Sequence, residues 1–254
     1  MEQRWPSRLW IVRHGQSAGN VARDAADAAG MSRIDIADRD MDVALSDLGR
    51  QQAAALGRWL ASQPAQERPC TLMSSPYLRA IQTSEAIRDA GGLAESNRKF
   101  CIDERLREKE FGILDRLTHR GIETQFPEQS EFRRLLGKFY HRPPGGESWC
   151  DVILRLRSVV DTLSLHHRGD RVLIVAHQVV VLCLRYLLEG LTEAQILAID
   201  READIANCGV TEYRFDPARG PEGELVLTQY NFTAPLEAQA APVTAEPDAN
   251  VAAR

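Results

Sequence analysis

Short runs of consecutive apolar residues alternate along this chain with longer stretches in which apolar positions recur every three or four residues. Leu9 to Val12 is the first such run, and it stops abruptly at Arg13-His14-Gly15. It reads as a buried strand with a functional loop at its C-terminal end. Val21 to Asp42, rich in Ala and Asp, shows no clear periodicity. Ser46 then has the character of an N-cap, with Asp47 in the first turn and Ala53, Leu56 and Leu60 at helical spacing behind it. Thr71 to Met73 is a second short strand, ended by Ser74-Ser75-Pro76, after which Tyr77, Ala80, Ile81, Ser84 and Ile87 mark one helical face.

Residues 101 to 146 are charged and irregular, with Pro127, Pro143, Pro144 and the Gly145-Gly146 pair; they read as loops and short helices inserted over the sheet. A helix starts near Ser148, with Val152, Leu156, Val159, Val160 and Leu163 on one face. Arg171 to Ala176 carries the strongest strand signal and ends at His177, and the nearly all-apolar Val179 to Leu188 fits a buried helix. Thr211 to Phe215 and Leu225 to Tyr230 are late strands. This alternation predicts an α/β fold whose ligand site lies at the C-terminal ends of the strands. A single domain is expected over residues 1–233, with a cap at about 105–146. The Ala-, Pro- and Glu-rich segment from Ala234 onward (234–254) is expected to be disordered.

Composition narrows the partners more than the fold. Hydrophobic residues are 44% and charged residues 26% of the chain, an ordinary globular balance. The net charge of -5 argues against a general nucleic-acid binder, which needs a basic excess to displace counterions. The five cysteines, Cys70, Cys101, Cys150, Cys183 and Cys208, are scattered and form no C-x-x-C pair, so a disulfide framework or zinc site is not expected. No apolar signal core follows Met1 to Arg8, and the longest apolar run, Val172 to Leu188, is broken by His177, Gln178 and Arg185. A cytoplasmic location without membrane attachment is expected.

The candidate chemistry lies where strands end. His14 and His177 each close an apolar strand, and in a parallel sheet such positions open onto the same edge. A lone histidine in such a place is more often structural than catalytic. Here Arg13 offers a guanidinium that can grip two phosphoryl oxygens, Gly15 permits close approach, and Arg79 sits just inside a helix after a Ser-Ser-Pro turn. No metal-ligand cluster appears.

R-H-G-Q-S-A-G-N (Arg13 to Asn20), S-S-P-Y-L-R-A-I-Q-T (Ser74 to Thr83) and V-A-H-Q (Val175 to Gln178) together resemble the histidine phosphatase superfamily. L-S-D-L-G-R-Q-Q-A (Leu45 to Ala53), R-L-R-E-K-E-F-G (Arg105 to Gly112) and P-G-G-E-S-W (Pro144 to Trp149) follow the family's order as well. The resemblance implies a three-layer, phosphoglycerate mutase-like fold with a mostly parallel sheet, and a phosphatase acting on a small phosphorylated metabolite without a cofactor. It implies His14 as nucleophile, Arg13, Arg79 and His177 as ligands of the phosphoryl oxygens, and Asn20 closing the phosphate pocket. Among Glu104, Glu108 and Glu110, the family spacing to Gly112 selects Glu108 as the acid that protonates the leaving group.

Phe126 to Trp149 is similar to the fructose-2,6-bisphosphatase branch, where an arginine and a lysine four residues apart grip a second phosphate; Arg134 and Lys138 stand at that spacing. Gln178 matches a substrate-contacting glutamine of that branch. The match is incomplete: Leu182 replaces an expected arginine, and Trp149 stands where that branch has tyrosine. Two other readings stay open. A mutase would use the same His14 chemistry, although Val21 to Asp42 lacks the tryptophan of mutases in this family. A non-catalytic phospholigand-binding module would be marked by loss of a core histidine or arginine, and none is lost here.

Overall fold

A computed structural model describes residues 4–93 and 99–245. The chain runs through β1 (Arg8–Arg13), α1 (Ala18–Ala28), α2 (Asp47–Ser62), β2 (Thr71–Ser74), α3 (Leu78–Ala90), β3 (Lys99–Ile102), α4 (His119–Gln125) and α5 (Pro127–Tyr140). It continues through α6 (Trp149–His166), β4 (Arg171–Ala176), α7 (Gln178–Glu189), α8 (Glu193–Glu202), β5 (Val210–Asp216), β6 (Glu224–Phe232) and α9 (Ala234–Glu237). The strands form one sheet in the order β3-β2-β4-β1-β5-β6. The four strands from β3 to β1 are parallel, whereas β5 and β6 are antiparallel additions at one edge.

Alternation along the central strands sorts their side chains into two cores. In β1 and β4, Leu9, Ile11, Val172 and Ile174 face α6 and α7, packing with Leu156, Val159 and Val181. Their neighbours Trp10, Val12, Leu173 and Val175 face the opposite side, where α2 and α3 supply Leu56, Leu60 and Ile87. A strand covered on both faces must be apolar throughout, which is why these two read as unbroken runs. The result is the expected three-layer arrangement with a mostly parallel sheet. Ser46 and Ser148 do cap their helices, each accepting a hydrogen bond from the backbone N–H three residues on.

Three stretches depart from the expectations. The Ala- and Asp-rich segment begins with α1, whose start is a capping box between Ser17 and Asn20. The irregular 101–146 segment holds α5, broken at Gly137, whose φ is 77°, and with Pro127 in its first turn, where a missing N–H costs nothing. Phe132, Leu135 and Leu136 of α5 are exposed, whereas Phe139, beyond the break at Gly137, is buried in the core that holds Trp149. The tail is the third: it opens with α9, and residues 238–245 follow it as turns and loop. Leu236 is fully buried and Ala241 nearly so in the core that holds Trp10 and Val12. Residues 246–254 lie outside the described residues.

The five cysteines are free thiols. Among the described residues no helix is long and apolar enough to cross a membrane.

Candidate active site

β1 and β4 are adjacent and in register, Arg13 opposite Ala176, so the residues that follow them meet at one edge. The His14 N–H donates to Ala176 O at 2.9 Å, extending the ladder one step. The two imidazoles stand edge to face, with centroids 5.1 Å apart. β2 brings a third strand end: Ser75 N–H donates to Val175 O at 3.0 Å, and Ser75 Oγ lies 2.8 Å from His177 Nε2. Arg79, in the first turn of α3, directs its Nε–H to His14 Nε2 at 3.2 Å. Arg13 is fully buried, and its guanidinium donates to Ile205 O.

These contacts define the state of His14. Its Nδ1 is 2.7 Å from Gly15 O, and a carbonyl can only accept, so Nδ1 carries the proton. Nε2 is then the lone-pair nitrogen, and it receives a donor from a cation, which favours the neutral ring. The loop that holds it is tightly built. A Cβ on Gly15 would lie 2.5 Å from Gly49 O, and one on Gly49 would lie 2.0 Å from Gln16 O. The first turn of α2 therefore docks on the His14 loop through two glycines that no other residue can replace without moving backbone.

A cavity opens beside this cluster, lined by Asn20, Arg23, Asp40, Arg79, Glu108 and Asp115 among others. Of the three acid candidates, Glu108 is buried and lines the cavity. Glu104 is exposed, and Glu110, exposed as well, accepts from Tyr77 Oη at 2.9 Å. Asn20 Oδ1 accepts from Ser17 N and Oγ, both at 2.9 Å, so the same residue caps α1 and faces the cavity. Arg79 also holds Asp40: its Nη1 donates to the Asp40 carbonyl at 2.6 Å and to Oδ1 at 3.0 Å. A carboxylate thus lies on the arginine expected to bind phosphate. Tyr77 packs on His177 with centroids 5.0 Å apart, and burial, then Asp40 and Glu110, push its phenol above the ordinary range, so it stays a donor.

The residues expected to hold a second anion are placed elsewhere. Arg134 is largely exposed and pairs with Glu131; Lys138 pairs with Asp200 and lies 5.5 Å over the Trp149 ring. Both line a separate cavity of about 610 Å³ between α5 and α8. Gln178 is buried and donates to Asp204 Oδ1 at 2.8 Å. Arg133 lines the same cavity as Arg134 and Lys138, and Lys109 and His141 are buried basic groups that sequence reasoning missed. Burial, helped by Arg133, lowers Lys109 to about 8; burial, then Arg133 and Lys109, lower His141 to about 4; burial lowers Arg133 to about 10. Arg23, three residues after Asn20 on α1, was also missed, and the Ser17–Asn20 capping box is the signal that could have placed it. Among the described residues no group of three or more His, Cys, Asp or Glu could hold a metal ion.

Residues 9–226 match the family model described as histidine phosphatase superfamily (branch 1). A probable fructose-2,6-bisphosphatase of Schizosaccharomyces pombe is 30% identical over 176 residues, which is 69% of this chain and 36% of that protein. A probable phosphoglycerate mutase GpmB of Yersinia enterocolitica is 27% identical over 232 residues, covering 91% of this chain and 95% of that one. The native structure of a mycobacterial glucosyl-3-phosphoglycerate phosphatase superposes with a TM-score of 0.67 at 27% identity, covering 89% and 99% of the two chains. The chain spans about a third of the length of the first curated relatives it matches.

Proposed function

The chain belongs to the histidine phosphatase superfamily, and on that premise we propose that it hydrolyses phosphate monoesters of small metabolites through a phosphohistidine on His14. The observation that carries this reading is the pairing of His14 Nε2 with Arg79 Nε at 3.2 Å, beside His177 and on the cavity lined by Glu108. In the first step His14 Nε2 attacks phosphorus, the N–P bond forms and the ester P–O bond breaks. Arg13, Arg79 and His177 stabilise the equatorial oxygens, where charge gathers in the transition state. The departing alkoxide takes the proton of Glu108. In the second step the Glu108 carboxylate takes a proton from water as the water oxygen bonds to phosphorus, and the N–P bond breaks to release inorganic phosphate.

Asn20 closes the phosphate pocket in this reading, and Arg23 supplies a further cation on the cavity wall. Gln178 stands close to His177 in sequence and is the remaining candidate for substrate contact. The relatives' names carry phosphorylated sugars and phosphoglycerate derivatives, which supports a small phosphorylated metabolite as substrate. Arg134 and Lys138 are left out of the substrate site, because neither lines the cavity that Glu108 lines. The free thiols support a reducing, cytoplasmic setting.

Product analysis over a panel of phosphorylated metabolites tests the reading. Stoichiometric inorganic phosphate and the dephosphorylated alcohol are expected. An isomer with the phosphoryl group moved would establish a mutase, and binding without turnover of any ester would establish a phospholigand-binding module.

A further inference from the structure

The segment after α9 lies beyond the matched residues 9–226, and its residues 241–244 reach the side chains that hold the His14 loop. Leu236 and Ala241 anchor it in the core, and Ala241 N–H donates to Leu236 O at 3.0 Å, turning the chain toward Asn207. Thr244 then meets two buried amides. Its Oγ1 donates to Asn207 Oδ1 at 2.8 Å and accepts from Gln52 Nε2 at 3.0 Å. The backbone adds two bonds: Asn207 N–H donates to Thr244 O at 2.8 Å, and Gln52 Nε2 donates to Pro242 O at 2.9 Å.

The far ends of both amides reach the catalytic loop. Asn207 Nδ2 donates to His14 O at 3.1 Å, and Gln52 Oε1 accepts from Gln16 N at 2.9 Å. Asn207 and Gln52 are fully buried, so neither amide has water to fall back on. A carbonyl only accepts and an N–H only donates, so His14 O and Gln16 N fix which end of each amide faces the loop, and the Thr244 hydroxyl, donating to one amide and accepting from the other, braces both in place. The two loop atoms so held, His14 O and Gln16 N, flank Gly15 in sequence. Gly15 O is the acceptor that keeps the His14 proton on Nδ1.

We infer that residues 241–244 are a positioning strap, in which Thr244 braces Asn207 and Gln52 so that the Gly15 carbonyl holds His14 with its proton on Nδ1 and Nε2 as the attacking nitrogen. This rests on reading His14 as the nucleophile. Thr244 touches no substrate; it acts through two amides and a peptide plane. Displacement of a nucleophile by a fraction of an ångström to 1 Å costs up to about a hundredfold in rate, so the loss belongs in kcat.

Thr244→Val removes the hydroxyl at nearly constant shape, and Thr244→Ser restores it. In Thr244→Val, kcat should fall roughly ten- to hundredfold while KM moves less than about threefold, and Thr244→Ser should recover to within about threefold of wild type. Nitrogen NMR of the His14 ring gives a second readout that needs no turnover: Nδ1-protonated in wild type and Thr244→Ser, mixed tautomers in Thr244→Val. Should Thr244→Val melt below assay temperature, Thr244→Ala carries the same expectations. Equal losses in the Val and Ser variants, or an unchanged tautomer with unchanged kcat, overturn the strap. Absence of phosphatase activity in wild type would instead remove the functional reading and leave the tautomer test standing.

Discussion

Replacing Lys109 with Met should make the protein more stable at neutral pH. Lys109 is 4% exposed, and its ammonium makes no hydrogen bond or ion pair among the described residues; its recorded contact is the Phe111 ring, 4.4 Å from Nζ. Burial first, and Arg133 next, bring it from an ordinary 10.5 to about 8, against the opposing pull of Glu108 and Glu147. A lowering of that size corresponds to about 3 kcal/mol at 1.36 kcal/mol per pKa unit. Below pH 8 both folded and unfolded chains hold the proton, and the full cost falls on the folded state. Between about 8 and 10.5 the folded protein loses its proton first, so wild-type stability rises with pH, and above 10.5 the cost is gone. Met keeps the apolar stem but gives up the ring contact, worth about 1 kcal/mol. The net gain at pH 7 is about 2 kcal/mol, or a Tm higher by roughly 4–8 °C for a chain of this size. Urea unfolding of both proteins at pH 7, 9 and 11 measures it. The difference should shrink steadily across that range, and His141, held down partly by Lys109, should titrate at higher pH in the variant. A variant no more stable at pH 7, or a difference that does not depend on pH, would refute the reasoning.

Two further perturbations probe the chemistry. Glu108→Gln should slow alkyl phosphates far more than aryl phosphates, whose leaving groups depart without a proton, while Glu110→Gln should have a small effect independent of leaving group; the reverse pattern would move the acid to Glu110. Asp40→Asn should lower KM for an aryl phosphate roughly threefold to tenfold, because a carboxylate no longer competes with the substrate for Arg79; an unchanged or higher KM would show that Asp40 does not compete.

Much of the sheet was legible because its central strands are buried on both faces and therefore unbroken in apolar character. His14, His177 and Arg79 were legible for a related reason: each follows a strand whose end is unmistakable. Glu108 rested on spacing alone, and its burial separates it from Glu104 and Glu110 in a way no local pattern does. What escaped depended on distant partners. The edge strand β3 is largely exposed at Cys101 and Ile102 and carries no alternation to read. Arg134 and Lys138 do not share one continuous helix face, because Gly137 between them breaks the helix with φ 77° and ψ 162°, and the cavity both border depends on how α5 packs against α8. The tail has the composition of a disordered segment, and only the side chains of Asn207 and Gln52, far away in sequence, give Thr244 something to hold.

The claim at the centre of this account is that phosphoryl transfer passes through His14 Nε2. Rapid quench of the enzyme with a substrate labelled on its phosphoryl group, followed by peptide mapping, tests it. The account predicts label on the peptide containing His14, stable to base and lost in acid, formed at least as fast as turnover and absent from His14→Ala, which should be inactive. Label on another residue, or substantial turnover by His14→Ala, would contradict it.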